Sequence, residues 1–506
     1  MKQVSGETKH HFLVTLRTGL TVLLFTSGLW LTSSNQITAL QFLLSYVLLL
    51  IPWVSYLDWR RRKRNGLPVF AMISVMYWLY YALPLFWGDL MIREARTVFG
   101  RQASPAMLSL ALTMSLVGVC CLWVGTKANF INRIVPGRWT QFDLDGRRRN
   151  YLRAVLVGSV ILSIVEPSAY LLGEGGRQII IISLSFVPLV AFTILFRRYL
   201  KGEASQLDKV LVFAFLLTRL VSGLSSGWLG AAASIMIICA ASYLAERQRL
   251  PRIAMMAVIV FTLFFQVGKN EFRIVYWTDE IKASHLDRVS FWVDTSLEKW
   301  SNAIADPSGE NLRPLLNQSL SRVSLLTQSA NVLDQTPHVV PYQYGRLYSF
   351  LLVTFIPRFV WHDKPSVNEA NQFYQIAYGV TAEEDIGKVS IGVGVLTEAF
   401  ISFGWFGVVG IMFLLGVFFG FYQQSLLGKS SGLLMSSLGI ALLPQMLGIE
   451  SQMAAYLGGI VQQVLFSLLV LLPIIRLSKF RRTIIPPNAG RRELRTEVSP
   501  ARVIEH

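Results

Sequence analysis

Twelve apolar windows succeed one another along this chain with charged residues between them. Each is near the roughly 20 residues that a helix needs to cross about 30 Å of hydrocarbon. They fall near 13–33, 37–57, 67–90, 105–126, 153–173, 178–196, 210–226, 228–245, 253–268, 394–422, 431–448 and 455–475. Such a chain has few choices of fold. Inside a bilayer no water is available to backbone N–H and C=O groups, so each window must satisfy its own hydrogen bonds as a helix. The expected fold class is therefore an all-α polytopic membrane protein with about twelve transmembrane helices. Composition agrees, because 53% hydrophobic and 15% charged residues are too apolar and too charge-poor a mixture for ordinary soluble domains. The net charge of +17 does not point to nucleic acid, since basic loops beside apolar spans are what the positive-inside rule expects. Cys120, Cys121 and Cys239 all lie inside apolar windows, which argues against a disulfide framework or a zinc ribbon.

Basic residues set the expected orientation. Arg60 to Arg64 follow the second window, Arg147 to Arg149 the fourth, Arg197, Arg198 and Lys201 the sixth, Arg247 and Arg249 the eighth, Lys429 the tenth, and Arg476 and Lys479 the twelfth. Every even-numbered exit is basic, so both termini are expected in the cytoplasm. The first run has no clear small-residue cleavage site and reads as a retained span. The chain then divides into spans one to nine over 1–268, a large outward loop over 269–392, spans ten to twelve over 393–478 and a polar cytoplasmic tail over 479–506. The loop holds 11 Lys+Arg and 14 Asp+Glu, a balance of about −3, so the excess positive charge lies elsewhere, as suits an exported segment. Within it, Leu312, Leu316, Leu320, Val323 and Leu326 share one helical face, which predicts an amphipathic helix over 310–335. Arg346 to Trp361 is apolar but short and interrupted by Pro357, and reads as interfacial or re-entrant.

Charge at membrane depth is costly and marks candidates for function. Arg219 in "LLTRLVSGLSSGWLG" stands near the outward end of window seven, with Gly223, Gly227 and Gly230 behind it. Its planar fork matches phosphate oxygens, although an arginine here could equally pair with a carboxylate or snorkel outward. Lys269 and Arg273 emerge one helical turn apart after window nine, placed either to grip an anion or to anchor the interface beside Tyr276 and Trp277. In "FIPRFVWHDKPSVNEANQFYQ", Arg358 and His362 are four apart, and Asp363 and Lys364 close the stretch at Pro365. Glu398, about one turn into window ten, needs a partner at that depth, and one of the arginines would supply it. His285, His338 and His362 are too scattered to make a metal site, and no phosphate-cradling Walker sequence is present.

The dozen spans, the long late loop, "FIPRFVWHDKPSVNEANQFY" and "GVLTEAFISFGWFGVVGIMFLLGVFFG" together resemble O-antigen polymerases of the Wzy type, in the superfamily that includes the O-antigen ligases. The layout covers most of the chain, while the motifs lie within 346–420. The resemblance implies a GT-C-like, metal- and cofactor-independent glycosyltransferase at the periplasmic face of the bacterial inner membrane. Its donor would be a glycan on undecaprenyl pyrophosphate and its acceptor a second lipid-linked repeat unit. A chain-length regulator and a flippase would be pathway partners, and nucleic acid would not. The resemblance also implies that Arg219, Arg273, Arg346 and Arg358 hold the pyrophosphate. Lys269 and Lys364 would join them, and His362 or Glu398 would take the acceptor's proton. The alternatives are a ligase delivering glycan to lipid A core, a lipid-linked glycan flippase, and a non-catalytic scaffold.

Overall fold

A computed structural model describes residues 2–61, 66–92, 100–128, 131, 140–141, 144–165, 173–278, 283–306, 308, 311–321, 324–354, 356, 361, 363, 365–366, 368–382, 391–428, 431–474 and 476–477. Each of the twelve apolar windows falls on a helix. They are α1 (Lys2–Leu31), α2 (Ala39–Arg61), α3 (Val69–Trp87, with a π-turn at Trp78–Ala82), α4 (Pro105–Thr126), α5 (Gly146–Val165), α6 (Gly173–Lys201), α7 (Gln206–Ser225), α8 (Leu229–Arg247), α9 (Arg252–Gln266), α16 (Val395–Leu426), α17 (Leu433–Met446) and α18 (Met453–Leu471). The segment between α9 and α16 carries α10 (Lys269–Arg273), α11 (His285–Ala305), α12 (Leu312–Ser321), α13 (Leu326–Gln335), α14 (Arg346–Thr354) and α15 (Glu369–Ala377).

Among the described residues, α2, α3, α4, α8, α16 and α18 are long and apolar enough to cross a membrane. The pair Arg252–Gln266 and Lys269–Trp277, bent by 61°, makes a seventh if it is one span. The protein is thus mostly helical and membrane-embedded. Helix α14 covers the first nine residues of the 346–361 stretch, and most of the rest lies outside the described residues.

Packing between α4 and α16 depends on glycine. A Cβ on Gly125 would stand 2.2 Å from the Phe413 carbonyl oxygen, and one on Gly416 would stand 2.2 Å from that of Leu122. Gly420, four residues on from Gly416, approaches Thr126 in the same way. With no hydrophobic drive between helices in lipid, such backbone-to-backbone contact is a main source of association.

The basic helix exits gather at one end of the bundle. Arg197 of α6 donates to Glu246 of α8 at 2.6 Å and to Ser436 and Ser437 of α17 at 2.6 and 3.0 Å. Strands β1 (Thr140–Gln141) and β2 (Arg476–Leu477), which follow α4 and α18, pair antiparallel. At the start of α7, Ser205 and Asp208 form a capping box, and Arg153 of α5 donates to both, at 2.8 and 2.7 Å. Burial alone would raise the Asp208 carboxyl, but the hydrogen bonds from Arg153 and Ser205 outweigh it and leave it below the ordinary aspartate value. A depressed carboxyl contributes stability above its unfolded value of about 3.9, and that stability is lost as pH falls through the folded value. Asp208→Asn should therefore lower the thermal midpoint most near neutral pH. The gap from the parent chain should narrow as pH drops through the aspartate range, as read by fluorescence-detected unfolding in detergent.

One expectation is corrected here. The single amphipathic helix over 310–335 is two helices, α12 and α13, with Ser324 and Leu325 between them assigned to neither. The Leu325 N–H donates to the Tyr80 carbonyl at the π-turn of α3, a tertiary bond that helical periodicity cannot anticipate. Asp334 of α13 is held by Arg101 at 2.7 Å. Ser329 of the same helix meets Thr397 of α16 at 2.7 Å. The loop is therefore docked on the helix ends opposite the basic exits.

Candidate active site

The first turn of α16 is fitted to the connection between α17 and α18. The N–H groups of Gly394 and Val395 donate to the carbonyls of Glu450 and Ile449 at 2.9 and 3.1 Å. Gly394 takes φ +77°, a conformation open to glycine at little strain. This docking carries Glu398, one turn further on, to the start of α18. There its Oε2 accepts the Met453 N–H at 2.6 Å. The residue is fully buried, and its Oε1 has no hydrogen-bond partner among the described residues. The sequence reading paired Glu398 with an arginine. Its partner among the described residues is the N-terminus of a helix, where unsatisfied N–H groups and the helix dipole favour negative charge, and Arg358 lies outside the described residues.

One turn beyond Glu398, α16 breaks at Phe403 and Gly404. Two carbonyls released by the break are recaptured from the loop, Ile401 by the Gln343 N–H at 3.0 Å and Ser402 by the Tyr344 N–H at 2.9 Å. Gly404 has φ +60°, and a Cβ there would stand 2.9 Å from the Tyr342 hydroxyl. Tyr348 of α14 stacks on Phe403 at 6.3 Å between ring centroids and lies within reach of Ser402 and of the Glu398 charge. Glu398 Oε1 is buried without a hydrogen-bond partner among the described residues, while the Tyr348 and Ser402 hydroxyls face one another. An orphaned buried carboxylate oxygen calls for an explanation beyond packing.

The cations occupy a second neighbourhood. Past α7 the chain turns at Gly227, φ +74°, where a Cβ would meet the Phe272 ring at 2.9 Å. Helix α10 lies over this turn, and the Trp277 indole N–H donates to the Ser226 carbonyl at 3.3 Å. The Arg273 guanidinium stacks 4.2 Å from the Trp277 ring centroid and 5.2 Å from that of Trp228. Both indoles remain open, Trp228 at 54% and Trp277 at 39% exposure. Contacts of this kind hold a guanidinium against aromatic faces by cation–π attraction. Lys269 begins α10, one turn before Arg273. Arg219 is partly buried on α7 with its guanidinium 5.6 Å from the Phe215 ring. Its neighbour Leu220 packs against the cluster that contains Phe272, so Arg219, Lys269 and Arg273 share one set of elements.

Glu398 belongs to other elements, α14, α16 and α18, and Arg346 is exposed at the start of α14. Helix α6 packs on α7 and α8 and also on α17 and α18, and so joins the two neighbourhoods. Arg358, His362 and Lys364 lie outside the described residues. Tyr348, Ser402 and Trp228 were missed by the sequence reading. A glycine and aromatics interrupting "ISFGWFG" was the one available signal for the break.

A family model described as a domain of unknown function, DUF8712, matches residues 146–485, about two thirds of the chain. The chain belongs to the DUF8712 family. The DUF8712 region opens with the first residue of α5 and runs past the end of α18, so it contains Arg219, Lys269, Arg273, Arg346 and Glu398 and leaves α1 to α4 outside. No curated protein and no solved structure matches the chain.

Proposed function

We propose that this DUF8712 protein is a membrane-embedded glycosyltransferase of the GT-C type, with about twelve spans. It joins oligosaccharide repeat units carried on undecaprenyl pyrophosphate into a polymer at the periplasmic face of the bacterial inner membrane. The observation that carries the reading is Glu398, a buried carboxylate with one oxygen fixed by a helix N-terminus and the other without a hydrogen-bond partner among the described residues. In the reaction the bond between the donor's anomeric carbon and the pyrophosphate oxygen breaks, and a bond from that carbon to an acceptor hydroxyl forms. The hydroxyl proton passes to Glu398 Oε1, and lipid pyrophosphate departs with the bonding electron pair. Negative charge grows on that leaving group, and Arg219, Lys269, Arg273 and Arg346 are the described cations suited to stabilise it. Because Glu398 is fully buried, the reading requires the loop docked at the helix break to shift when acceptor enters.

The direct test is incubation of purified protein with lipid-linked repeat units, without nucleotide or metal. Longer lipid-linked chains are expected, and unchanged substrate under conditions that preserve folding would count against the reading. Within it, Arg273→Ala should slow chain growth about a hundredfold, the usual effect of removing one preorganised donor. Arg273→Lys should recover only part of the rate, because an ammonium lacks the planar fork that lies against the two indoles. Arg219→Ala should likewise leave insertion intact and strip the long chains from the glycan ladder.

A further inference from the structure

Helix α11 has three distinct faces. The first is docked on protein, with Trp292, Ser296 and Ala303 buried. From this face the Trp292 and Trp300 indole N–H groups donate to the carbonyls of Phe265 and Phe264 at 2.8 and 3.3 Å, and the Lys299 ammonium donates to that of Val267 at 3.2 Å. These are carbonyls that the end of α9 cannot satisfy within its own helix. Gly268 permits the approach, since a Cβ there would stand 2.7 Å from the Ser296 hydroxyl.

The second face is apolar and open. Leu286, Leu297 and Ile304 are 70%, 52% and 74% exposed. Their spacings of eleven and seven residues place them within about 20° of one another round the helix. The third face carries the exposed acids Asp287, Asp294 and Glu298, about 80° to 120° round from that stripe. A scattered exposed leucine means nothing, but an aligned stripe between a docked face and a charged ridge is the pattern of a helix lying in a membrane interface. Helix α9, against which α11 packs, also exposes apolar side chains at Ile253, Met256, Ile259 and Val260.

We infer that α11 lies in the plane of the membrane interface, with Leu286, Leu297 and Ile304 in the acyl boundary and Asp287, Asp294 and Glu298 turned to water. The partner of this surface is the lipid bilayer itself. Its attachment at 264–267 then fixes the depth of the next segment. Lys269 and Arg273, directly after the bend, are held at the level of lipid phosphates. The inference does not depend on glycosyl transfer and stands or falls separately.

The test uses the full chain with Cys120, Cys121 and Cys239 changed to Ser, reconstituted in phosphatidylcholine–phosphatidylglycerol nanodiscs. Spin labels are introduced one at a time by Leu297→Cys, Ile304→Cys and Asp294→Cys. The ratio of oxygen to nickel-chelate collision rates should be several-fold higher at the first two positions than at the third. A ratio at Leu297 and Ile304 equal to that at Asp294 would mean water or glycan on this face. Low collision rates for both reagents with dipolar broadening would mean a second copy. Either result overturns the inference. If the cysteine-free chain fails to fold, the parent protein is labelled instead by a bilayer-partitioned carbene precursor and digested. Modification at Leu297 or Ile304 is then expected, and an α11 peptide without label beside a labelled α9 peptide overturns it.

Discussion

Glu398→Gln should reduce polymer formation by about a thousandfold, within the range attributed to a positioned acid–base group, while the protein still folds and inserts. Glutamine keeps the size of the side chain, and its amide oxygen can still accept the Met453 N–H that Glu398 Oε2 accepts at 2.6 Å. What it loses is a basic oxygen to receive the acceptor's proton. The comparison with Glu398→Ala separates chemistry from structure. Alanine also leaves the first N–H groups of α18 without their acceptor and opens a void in a fully buried position, so it should lower the thermal midpoint as well as activity. Glycan ladders and unfolding curves measured on both variants read the two effects apart. Wild-type ladders from Glu398→Gln would remove the carboxylate from the mechanism.

Gly416→Leu should prevent stable assembly of the helix bundle. The position faces α4 so closely that a Cβ would come within 2.2 Å of the Leu122 carbonyl oxygen, a backbone atom that cannot rotate away. Gly125 makes the reciprocal approach from α4 to Phe413. Inserting a side chain forces the two helices apart, and the penalty should reach about 3 kcal/mol, the upper part of the usual range for overpacking. The expected observations are a lower yield of monodisperse protein in detergent and a depressed thermal midpoint. Gly410→Leu is the control. A Cβ at Gly410 on the same helix meets nothing within 4 Å, so the same change there should be tolerated.

Particular elements show how far the sequence could be read. Windows such as 105–126 and 455–475 carry enough apolar length that helix formation follows from the cost of an unpaired backbone in hydrocarbon, and α4 and α18 lie there. The ninth window stops at Gly268, but the 61° bend that follows α9 was not read from the sequence. The candidate site was legible only in its residue types. Arg273 was visible as a cation beside Trp277, but its second indole, Trp228, lies 45 residues earlier and reaches it across the α7–α8 turn. Glu398 was visible as a carboxylate in need of a partner, and an arginine was the natural choice because opposite charge is the commonest remedy. The backbone N–H that it found belongs to a residue 55 positions away and leaves no mark in a sequence, because every residue except proline has one.

By itself, the sequence determined that this chain is a bundle of apolar helices with basic exits alternating along it and a large, slightly acidic segment inserted late. Those properties follow from hydropathy, length and charge, which act within one segment at a time. Only the tertiary structure decided that α16 breaks at Gly404, that Glu398 faces the start of α18 and that Arg273 lies against two indoles. Each of these is a pairing between distant segments, settled by which buried polar groups could be satisfied once the helices had packed.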